Sequence, residues 1–521
     1  MRLRAFIVFI LALLPSACYV LKNPGMPEFG RFHDDGLLFV SAKALANGEG
    51  FVISSLPERP AQTKYPVLYP LFLSLVWKLN PHFPDNLWIA RLMNWLLLVL
   101  CLGLSWIYYR SEGISEGKTM LLVVLLGLNP WMILVGTNTF SEVFFICWMM
   151  VVFLLMRCRC AQASLWAGIA AGCAYLSRTA GIAFLAAIPA WYGVRRQYRH
   201  ITQFLIGMLP FVAGWMLWSR HHLLPTQDPT LIYYTDYLKM EFLTIGLDNF
   251  HLVLWKNVDG LLAGFGGLAI PQVFGSLPVK ILTQAVGVAM ISGTIRLFRR
   301  GIAQPYAFFA AVTSAMLLAW HFQPNERFVL PLLPLLLLGL VTELEHLAAM
   351  LRSGFRHSDP AQRRVAIGMA CVASTIVVGV LAVQCLMSFR YLYESARQYQ
   401  AKLYEMRAAY AWIVANVPDS ARILSNDDPI LYLYSGRRGR IFPMVPGSWY
   451  GEDHKDTVAA YRDIAAYGRG LGFDYFYWTL DDTSRWTNDP GEIQSVRRSL
   501  RENPELTPLF QSSFGTVYRI R

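Results

Sequence analysis

Long apolar segments separated by short polar ones run through the first three quarters of the chain. An apolar segment at residues 3–21 and ten later ones each have about the length that a helix needs to cross a bilayer. The later segments lie at about 86–109, 119–137, 141–156, 164–178, 180–194, 202–218, 281–298, 305–321, 328–342 and 365–388. This pattern predicts eleven membrane-spanning helices and an α-helical polytopic membrane protein.

Two polar segments interrupt the apolar pattern. Residues 22–84 and 219–280 are too polar to span a membrane. Each is long for a simple connection, and long ordered loops usually carry function. Inside the first loop, residues 67–79 form an aromatic, amphipathic stretch of the kind that lies in the membrane interface. We therefore expect two functional loops on one membrane face.

The pattern changes again at residue 389. Stretches with helical character alternate there with short apolar runs typical of buried strands. The helical stretches lie at 391–415, 455–468 and 489–502, and the strand-like runs lie at 421–425, 473–478 and 516–520. The sequence therefore predicts a transmembrane domain over residues 1–388 and a small C-terminal α/β domain over residues 389–521.

Composition agrees with a membrane protein. The chain has 521 residues, of which 55% are hydrophobic and only 15% are charged, and its mean hydropathy is +0.38. Soluble proteins are nearer a quarter charged. The net charge of +12 would suggest nucleic acid as the partner of a soluble protein, but the basic residues here cluster at the ends of apolar segments. Membrane lipids are therefore the expected partners and nucleic acid is not.

The basic residues also predict the orientation in the membrane. They concentrate at alternate ends of the predicted spans, as the positive-inside rule requires of cytoplasmic loops. These residues are Arg2, Arg4, Arg110, Lys118, Arg157, Arg159, Arg195, Arg196, Arg199, Arg296, Arg299, Arg300, Arg352, Arg356, Arg363 and Arg364. We expect a multi-pass protein of the plasma (inner) membrane, if bacterial, with its N-terminus in the cytoplasm. An odd number of spans then places residues 389–521 outside the cytoplasm.

Candidate chemistry collects at the outer ends of the predicted spans. The adjacent carboxylates Asp34 and Asp35 follow the first span, and Lys64 lies in a turn rich in proline and tyrosine. Later span ends on the same face contribute Glu142, Arg178 and Arg327. Ionisable groups are costly at a membrane and usually functional there. Cations could hold phosphate oxygens while a carboxylate takes a proton from an acceptor hydroxyl.

Each of these residues also has a simpler interpretation. Glu142 could complement the dipole of the helix that it begins. Arg178 and Arg327 could extend towards the membrane interface without binding a ligand. Because two neighbouring carboxylates repel, one member of the Asp34–Asp35 pair is expected to have a raised pKa. Their combination on one face favours a site over these separate explanations.

Several short motifs occur in a fixed order around these residues. They are Asp34-Asp35 followed by Ala42, the turn Asn47-Gly48-Glu49-Gly50-Phe51, Lys64-Tyr65-Pro66-Val67-Leu68-Tyr69-Pro70-Leu71, Ser141-Glu142, Leu176-Ser177-Arg178-Thr179-Ala180-Gly181 and Arg327-Phe328-Val329-Leu330-Pro331-Leu332-Leu333-Pro334. Over residues 1–388 they resemble the polytopic C-type membrane glycosyltransferases. The similarity is greatest to bacterial relatives of the protein O-mannosyltransferases and of lipid A aminoarabinose transferase (glycosyltransferase family 39).

The resemblance implies a donor that carries its sugar on polyprenyl phosphate, and inversion at the anomeric carbon. Asp34 matches the family's catalytic acidic residue and would be the general base, although a shift of one residue would give that role to Asp35. Lys64, Arg178 and Arg327 would bind the donor phosphate.

Three further residues complete the set that the resemblance suggests. Glu142 would assist or orient the donor, and Tyr69 and His33 are added as substrate-binding candidates. The chain departs from the family at Tyr65, which replaces a proline, and at Phe328, which stands where relatives usually have tyrosine. Neither departure removes a charge, so both affect the fit of the substrate more than the mechanism.

Cofactors, acceptor and reaction class stay open. Asp34, Asp35, Glu142 and His33 could hold Mg²⁺ or Mn²⁺, but their spacing does not require a metal. Cys158-Arg159-Cys160 lacks a second ligand pair for zinc. The acceptor could be a glycan, a lipid or a protein. A flippase or transporter, or a polymerase or ligase of lipid-linked saccharides, is the alternative to a transferase; charges confined to one face and an appended domain favour the enzyme.

Overall fold

Nearly the whole chain is described by the structure, which is a computed structural model. The described residues are 2–23, 25–243, 245–246, 248, 250–270, 277–354, 360–442, 454–484 and 486–521. Arg356, one of the predicted cytoplasmic charges, lies outside them.

The first four fifths of the chain is helical. Its helices are α1 (Arg2–Lys22), α2 (Asp34–Ala46), α3 (Leu68–Leu79), α4 (Leu87–Ser111), α5 (Glu116–Gly127), α6 (Pro130–Gly136), α7 (Glu142–Arg157), α8 (Ala163–Ser177), α9 (Ala183–Val194), α10 (Tyr198–His221), α11 (Pro229–Thr235), α12 (Phe250–Ala269), α13 (Leu277–Arg299), α14 (Gln304–Leu318), α15 (Glu326–Val329), α16 (Leu333–Gly354) and α17 (Pro360–Asn416). Single turns of 3₁₀ helix occur at Thr179–Ile182 and Leu330–Leu332, and a single turn of π-helix occurs at Lys239–Leu243. The largest apolar core lies among α4, α5, α7–α10, α14 and α16.

Several helices are suited to a membrane. Four stretches among the described residues are long and apolar enough to cross one: Leu87–Ser111, Tyr198–His221, Leu277–Arg299 and Glu326–Ser353. The pair α5 and α6, bent by 60°, makes a fifth if it counts as one span. The predicted α-helical, multi-spanning membrane protein is thus confirmed, and the number of eleven spans stays a prediction.

The bend between α5 and α6 divides the predicted span 119–137. It has a local cause, because the Asn129 side chain accepts hydrogen bonds from the backbone N–H groups of Trp131 and Met132. Pro130 occupies the first position of the new helix, where its missing N–H is harmless. Asn129 and Pro130 therefore end one helix and start another inside a continuous apolar segment.

The segment 219–280 holds more helix than its polar pattern indicates. It contains α11 and the 20-residue α12, which packs against α13. Its glycines allow this close packing, since a Cβ at Gly266 would lie 1.8 Å from the carbonyl oxygen of Thr283. A second difference concerns the predicted span 365–388 and the predicted helix 391–415. They belong to one continuous helix, α17.

The C-terminal part forms a five-stranded sheet. Its strands are β1 (Arg422–Leu424), β2 (Arg438–Arg440), β3 (Tyr475–Thr479), β4 (Leu506–Gln511) and β5 (Gly515–Ile520), in the order β2-β1-β3-β5-β4. The strand β1 pairs in parallel with β2 and β3, whereas β5 is antiparallel to β3 and β4. The helices around it are α18 (Asp428–Ser435), α19 (Lys455–Arg462), α20 (Ile464–Gly470), α21 (Asp481–Ser484) and α22 (Pro490–Glu502).

Helix α18 packs directly on the segment that holds the acidic pair. A Cβ at Gly36 would lie 2.8 Å from the Cβ of Pro429, and a Cβ at Gly30 would lie 2.6 Å from the Ile430 side chain. Gly30 also has a φ of +92°, which an L side chain rarely adopts. The two glycines therefore allow the C-terminal part to pack closely against the start of α2.

Candidate active site

The carboxylate of Asp34 faces a cluster of cations. Asp34 begins α2, where the helix dipole favours a negative charge. Its Oδ2 atom accepts a hydrogen bond of 3.0 Å from Nη1 of Arg327, and its Oδ1 atom accepts one from the Tyr65 hydroxyl. The side chain is 25% exposed, so a substrate hydroxyl could reach it.

Asp35 lies beside Asp34 but has a different environment. It is fully buried and accepts backbone hydrogen bonds of 2.7 Å from the N–H of Gly30 and 2.9 Å from that of Gly36. These bonds hold the loop before α2 in its conformation. Of the two aspartates, Asp34 is therefore the one that contacts the cations.

Glu142 lies between the two arginines at the start of α7. Its Oε1 atom is 2.9 Å from Nη1 of Arg178 and also accepts a hydrogen bond from Nε of Arg327. The side chain is fully buried, and its Oε2 atom has no hydrogen-bond partner among the described residues. Arg327 thus connects a buried carboxylate, Glu142, to a partly exposed one, Asp34.

Lys64 supplies a third cation next to this cluster. Its Nζ atom lies 3.3 Å from the centre of the Tyr233 ring and 5.4 Å from that of Tyr65. The side chain is 5% exposed, and within the described residues it forms no ion pair at 4 Å or less. A cation held over aromatic faces keeps its hydrogen-bond donors free. Lys64 is therefore the cation of this site with most capacity for an incoming anion.

The two aspartates differ in acidity for physical reasons. Burial acts to raise the pKa of Asp34, but Arg327, Lys64 and the hydrogen bond from Tyr65 outweigh it and hold that pKa below its usual value. Burial raises the pKa of Asp35 to about 6, against the stabilising hydrogen bonds from Gly30 and Gly36. Asp34 is therefore ionised at neutral pH, and the raised pKa expected of one member of the pair belongs to Asp35.

A further carboxylate, Glu241, influences the same cluster. Burial raises the pKa of Glu241 to about 6, and the nearby Lys64 ammonium opposes that rise. Burial likewise lowers the pKa of Lys64, against the attraction of Asp34 and Glu241. The sequence pattern did not single out Glu241 as a site residue. The one available signal was an isolated acid in the apolar context Met240-Glu241-Phe242.

Two predicted substrate-binding residues lie outside the cluster. Tyr69 is fully buried and donates a 2.8 Å hydrogen bond to Oδ1 of Asn94. His33 is also buried, with Nδ1 3.1 Å from the Tyr233 hydroxyl and Nε2 2.9 Å from Oδ1 of Asp428. The hydrogen bonds of the His33 side chain go to Tyr233 and Asp428, so it lies beside the cluster.

The suggested divalent metal does not fit the described side chains. No group of three or more histidine, cysteine, aspartate or glutamate side chains in the described part of the chain is arranged to hold one. Asp34 and the Oε1 atom of Glu142 already accept from arginines, and Asp35 accepts from backbone amides. Metal ligands need free lone pairs facing a common point. The described carboxylates and His33 do not provide such an arrangement.

Comparisons with known proteins gave matches only among solved structures. No family model and no curated protein matches the sequence. ArnT from Cupriavidus metallidurans bound to undecaprenyl phosphate has a TM-score of 0.48 and 13% identity, covering 99% of this chain and 96% of that chain. The apo state of the same protein gives 0.48 and 12%, with 93% of each chain covered.

A third similar structure is larger. The arabinofuranosyltransferase AftD from Mycobacteria has a TM-score of 0.48 and 17% identity over all of this chain. The match covers 40% of the AftD chain.

Proposed function

We propose that the protein transfers a sugar from a polyprenyl-phosphate donor to an acceptor at the extracytoplasmic membrane face, with inversion. The observation that carries this proposal is the link from Asp34 through Arg327 to the buried Glu142. Next to it lies the Lys64 ammonium, which forms no ion pair within the described residues. A partly exposed carboxylate thus lies beside cations that can hold a phosphate. The motif resemblance over residues 1–388 supports the same reaction.

Asp34 acts as the general base. Its carboxylate accepts the proton of an acceptor hydroxyl as the hydroxyl oxygen attacks the anomeric carbon. The lowered pKa keeps Asp34 ionised and ready to accept that proton. A single displacement forms the new bond from carbon to oxygen while the bond from carbon to the phosphate oxygen breaks, so the configuration inverts.

Lys64 binds the leaving group together with the arginines. The donor phosphate carries one negative charge as a diester and two after it leaves as a monoester. Cations that are already in position stabilise the added charge in the transition state. Glu142 partly neutralises Arg178 and Arg327. The Lys64 ammonium therefore contributes most to stabilising the added negative charge of the leaving phosphate.

The test is an in vitro transfer assay with a panel of polyprenyl-phosphate sugars and candidate glycan, lipid and protein acceptors. Asp34→Asn should lower the transfer rate by about 10²- to 10⁴-fold, the usual contribution of a general base. Asp259→Asn removes a partly exposed carboxylate that pairs with Lys280, and it should leave the rate unchanged.

Two results would contradict the proposal. Equal rates for wild type and Asp34→Asn would remove the base assignment. Movement of lipid-linked sugar across proteoliposomes, without transfer to any acceptor, would replace the enzyme with a flippase.

A further inference from the structure

A polar cavity lies at the far end of the helix that begins in the candidate active site. Helix α7 starts at Glu142 and ends at Arg157, and its 16 residues span about 24 Å. Arg157 lines a cavity of about 700 Å³ formed by the ends of α4, α7 and α9 and the beginnings of α8, α10 and α14. The cavity therefore lies at the membrane face opposite Asp34, where the predicted cytoplasmic charges collect.

The cavity gathers more positive than negative charge. Arg157, Arg159 and Arg195 line it, whereas Glu112 is the one carboxylate among the lining residues. Glu112 is 3.5 Å from Nε of Arg157, and Arg195 donates to the neutral side chain of Gln304. Arg159 forms no ion pair with any residue that the structure describes. Two guanidinium groups at this cavity thus lack a neutralising carboxylate.

The remaining lining residues provide fixed hydrogen-bonding groups. Ser164 is buried, and its Oγ atom lies 2.9 Å from the Tyr192 hydroxyl and 2.8 Å from Nδ1 of His200. The His200 ring also stacks on Tyr192. These contacts hold the imidazole in one orientation at the cavity wall, so the cavity contains fixed polar groups as well as arginines.

Helix beginnings add partial positive charge. The residues that precede α8 and α10, Gln162 and Gln197, provide no side-chain cap. The N–H of Ala163 donates to the carbonyl oxygen of Cys160 and that of His200 to the carbonyl oxygen of Gln197, so part of the first turn of each helix can face an anion. At α14 the Glu112 carboxylate already accepts a 2.9 Å hydrogen bond from the N–H of Ala303. One helix beginning at this cavity thus already binds a carboxylate of the chain.

We propose that this cavity binds the phosphate headgroup of an anionic membrane phospholipid. Guanidinium groups bind phosphate oxygens in pairs, and basic pockets between helix ends at a cytoplasmic membrane face suit anionic headgroups. The cavity lies where membrane-competent helices end, and Arg195 stacks over the Trp191 ring with 4.6 Å between the guanidinium carbon and the ring centre. Tryptophan and arginine together are typical of the lipid interface. The site is separate from Asp34 and does not depend on the proposed sugar transfer.

The test compares lipid binding by two matched double variants of the full chain. Purified protein is placed in nanodiscs of phosphatidylcholine containing increasing cardiolipin or phosphatidylglycerol, and the bound lipids are counted by native mass spectrometry. Arg159→Gln with Arg195→Gln should weaken binding of the anionic lipid at least tenfold. Arg299→Gln with Arg352→Gln removes the same charge near this face but outside the cavity, and it should weaken binding less than twofold.

Two cysteines give a second measurement on unchanged protein. Cys158 and Cys160 are exposed and line the cavity. Anionic lipid should protect both from maleimide, measured on their peptides, and phosphatidylcholine should not. The replacements Arg159→Lys and Arg195→Lys keep the charge but lose paired phosphate contacts, so they should lower affinity by an intermediate factor.

Three outcomes would overturn the proposal. Equal weakening by the two double variants would show only general attraction of the surface for anionic lipid. Unchanged maleimide labelling in anionic nanodiscs would show that no headgroup enters. Protection by inorganic phosphate or glycerol phosphate, but not by lipid, would replace the lipid with a soluble phosphate compound.

Discussion

Nε2 of His33 lies 2.9 Å from Oδ1 of Asp428, although 395 residues separate them in the chain. A carboxylate only accepts hydrogen bonds, so in the neutral imidazole Nε2 carries the hydrogen and Nδ1 accepts from the Tyr233 hydroxyl, 3.1 Å away. The Tyr233 ring in turn faces the Lys64 ammonium. A carboxylate of the C-terminal part is thereby connected to the cation that we assign to the donor phosphate.

Asp428 fixes more than this one contact. Its Oδ1 atom also accepts a 2.6 Å hydrogen bond from the Tyr234 hydroxyl, and its Oδ2 atom accepts one of 3.2 Å from Oγ of Ser55. The side chain is fully buried. Three segments that are distant in sequence therefore meet at one carboxylate, and we regard Asp428 as a positioning residue.

Replacing Asp428 should disturb donor binding more than the chemical step. In Asp428→Asn the carboxamide accepts at one atom only, so His33 and Tyr233 lose their fixed orientation and Lys64 is held less well. We expect the KM for the donor to rise about tenfold with a smaller change in kcat, and stability to fall by about 1–3 kcal/mol. Transfer kinetics and thermal unfolding measure these effects.

The control for this prediction is Asp456→Asn, which changes an exposed aspartate on α19. It should alter neither the KM nor the unfolding temperature. A loss of kcat with unchanged KM in Asp428→Asn would contradict the positioning role.

Three charged residues of the site could be predicted because they lie where helices begin. Asp34 begins α2, Glu142 begins α7, and Arg327 lies in the first turn of α15. When apolar segments alternate across a membrane, charges at corresponding ends must share a face. Their proximity therefore follows from the hydrophobic pattern, even though their individual contacts do not.

The partners of these residues could not be predicted in the same way. Tyr233 and Asp428 carry no local signal, because their contacts depend on how α11 and α18 pack against the first loop. The strand β2, Arg438–Arg440, is three residues long and charged at both ends. Its place in the sheet depends on pairing with β1 and not on an apolar pattern of its own.

Lys64 should contribute mainly to stabilising the leaving phosphate. We expect Lys64→Gln to lower kcat/KM for the donor by about 10²- to 10³-fold, as for the loss of one preorganised donor to a developing anion. Lys64→Arg keeps the charge and should retain part of the activity. The measurement is donor-saturation kinetics of transfer.

Lys43 offers a matched control. Its ammonium also lies over aromatic rings, 5.3 Å from the centre of Trp77 and 4.9 Å from that of Tyr432, but outside the candidate site. Lys43→Gln should leave kcat/KM within about twofold. Equal losses in the two lysine variants would indicate a structural effect of removing a stacked cation.

Glu142 should be important for folding as well as activity. Glu142→Gln removes the buried carboxylate that two partly buried arginines share, and breaking a buried ion pair costs up to about 3–5 kcal/mol. Stability measured by thermal unfolding in detergent should fall by roughly that amount. The double variant Glu142→Gln with Arg178→Gln should recover part of the lost stability, because it also removes a cation that the single variant leaves without its carboxylate.

The comparison variant is Glu49→Gln. Glu49 forms a partly exposed ion pair with Arg59, and such pairs contribute about 0–1 kcal/mol. If Glu142→Gln were no more destabilising than Glu49→Gln, the two arginines would not depend on Glu142 for their charge balance.

The raised pKa of Asp35 predicts how stability depends on pH. Burial raises this pKa from 3.8 to about 6. As the pH rises, the folded protein therefore keeps a proton on Asp35 that the unfolded chain has already released at lower pH. The stabilising contribution is fully present below pH 3.8 and is lost as the pH rises through about 6. The difference corresponds to roughly 3 kcal/mol.

Asp34 acts in the opposite sense and at lower pH: its lowered pKa gives stability above pH 3.8 that disappears as the pH falls through the folded value.

Unfolding temperatures of wild type and Asp35→Asn between pH 4 and 7 would measure this effect. Wild type should lose stability over that range, and Asp35→Asn should lose less because its amide does not titrate. Glu241 contributes to the same window, since burial raises its pKa from 4.5 to about 6. Glu241→Gln should therefore flatten the profile in part, and the double variant should flatten it further. An identical pH profile for wild type and Asp35→Asn would mean that Asp35 is ionised throughout, held so by the amides of Gly30 and Gly36.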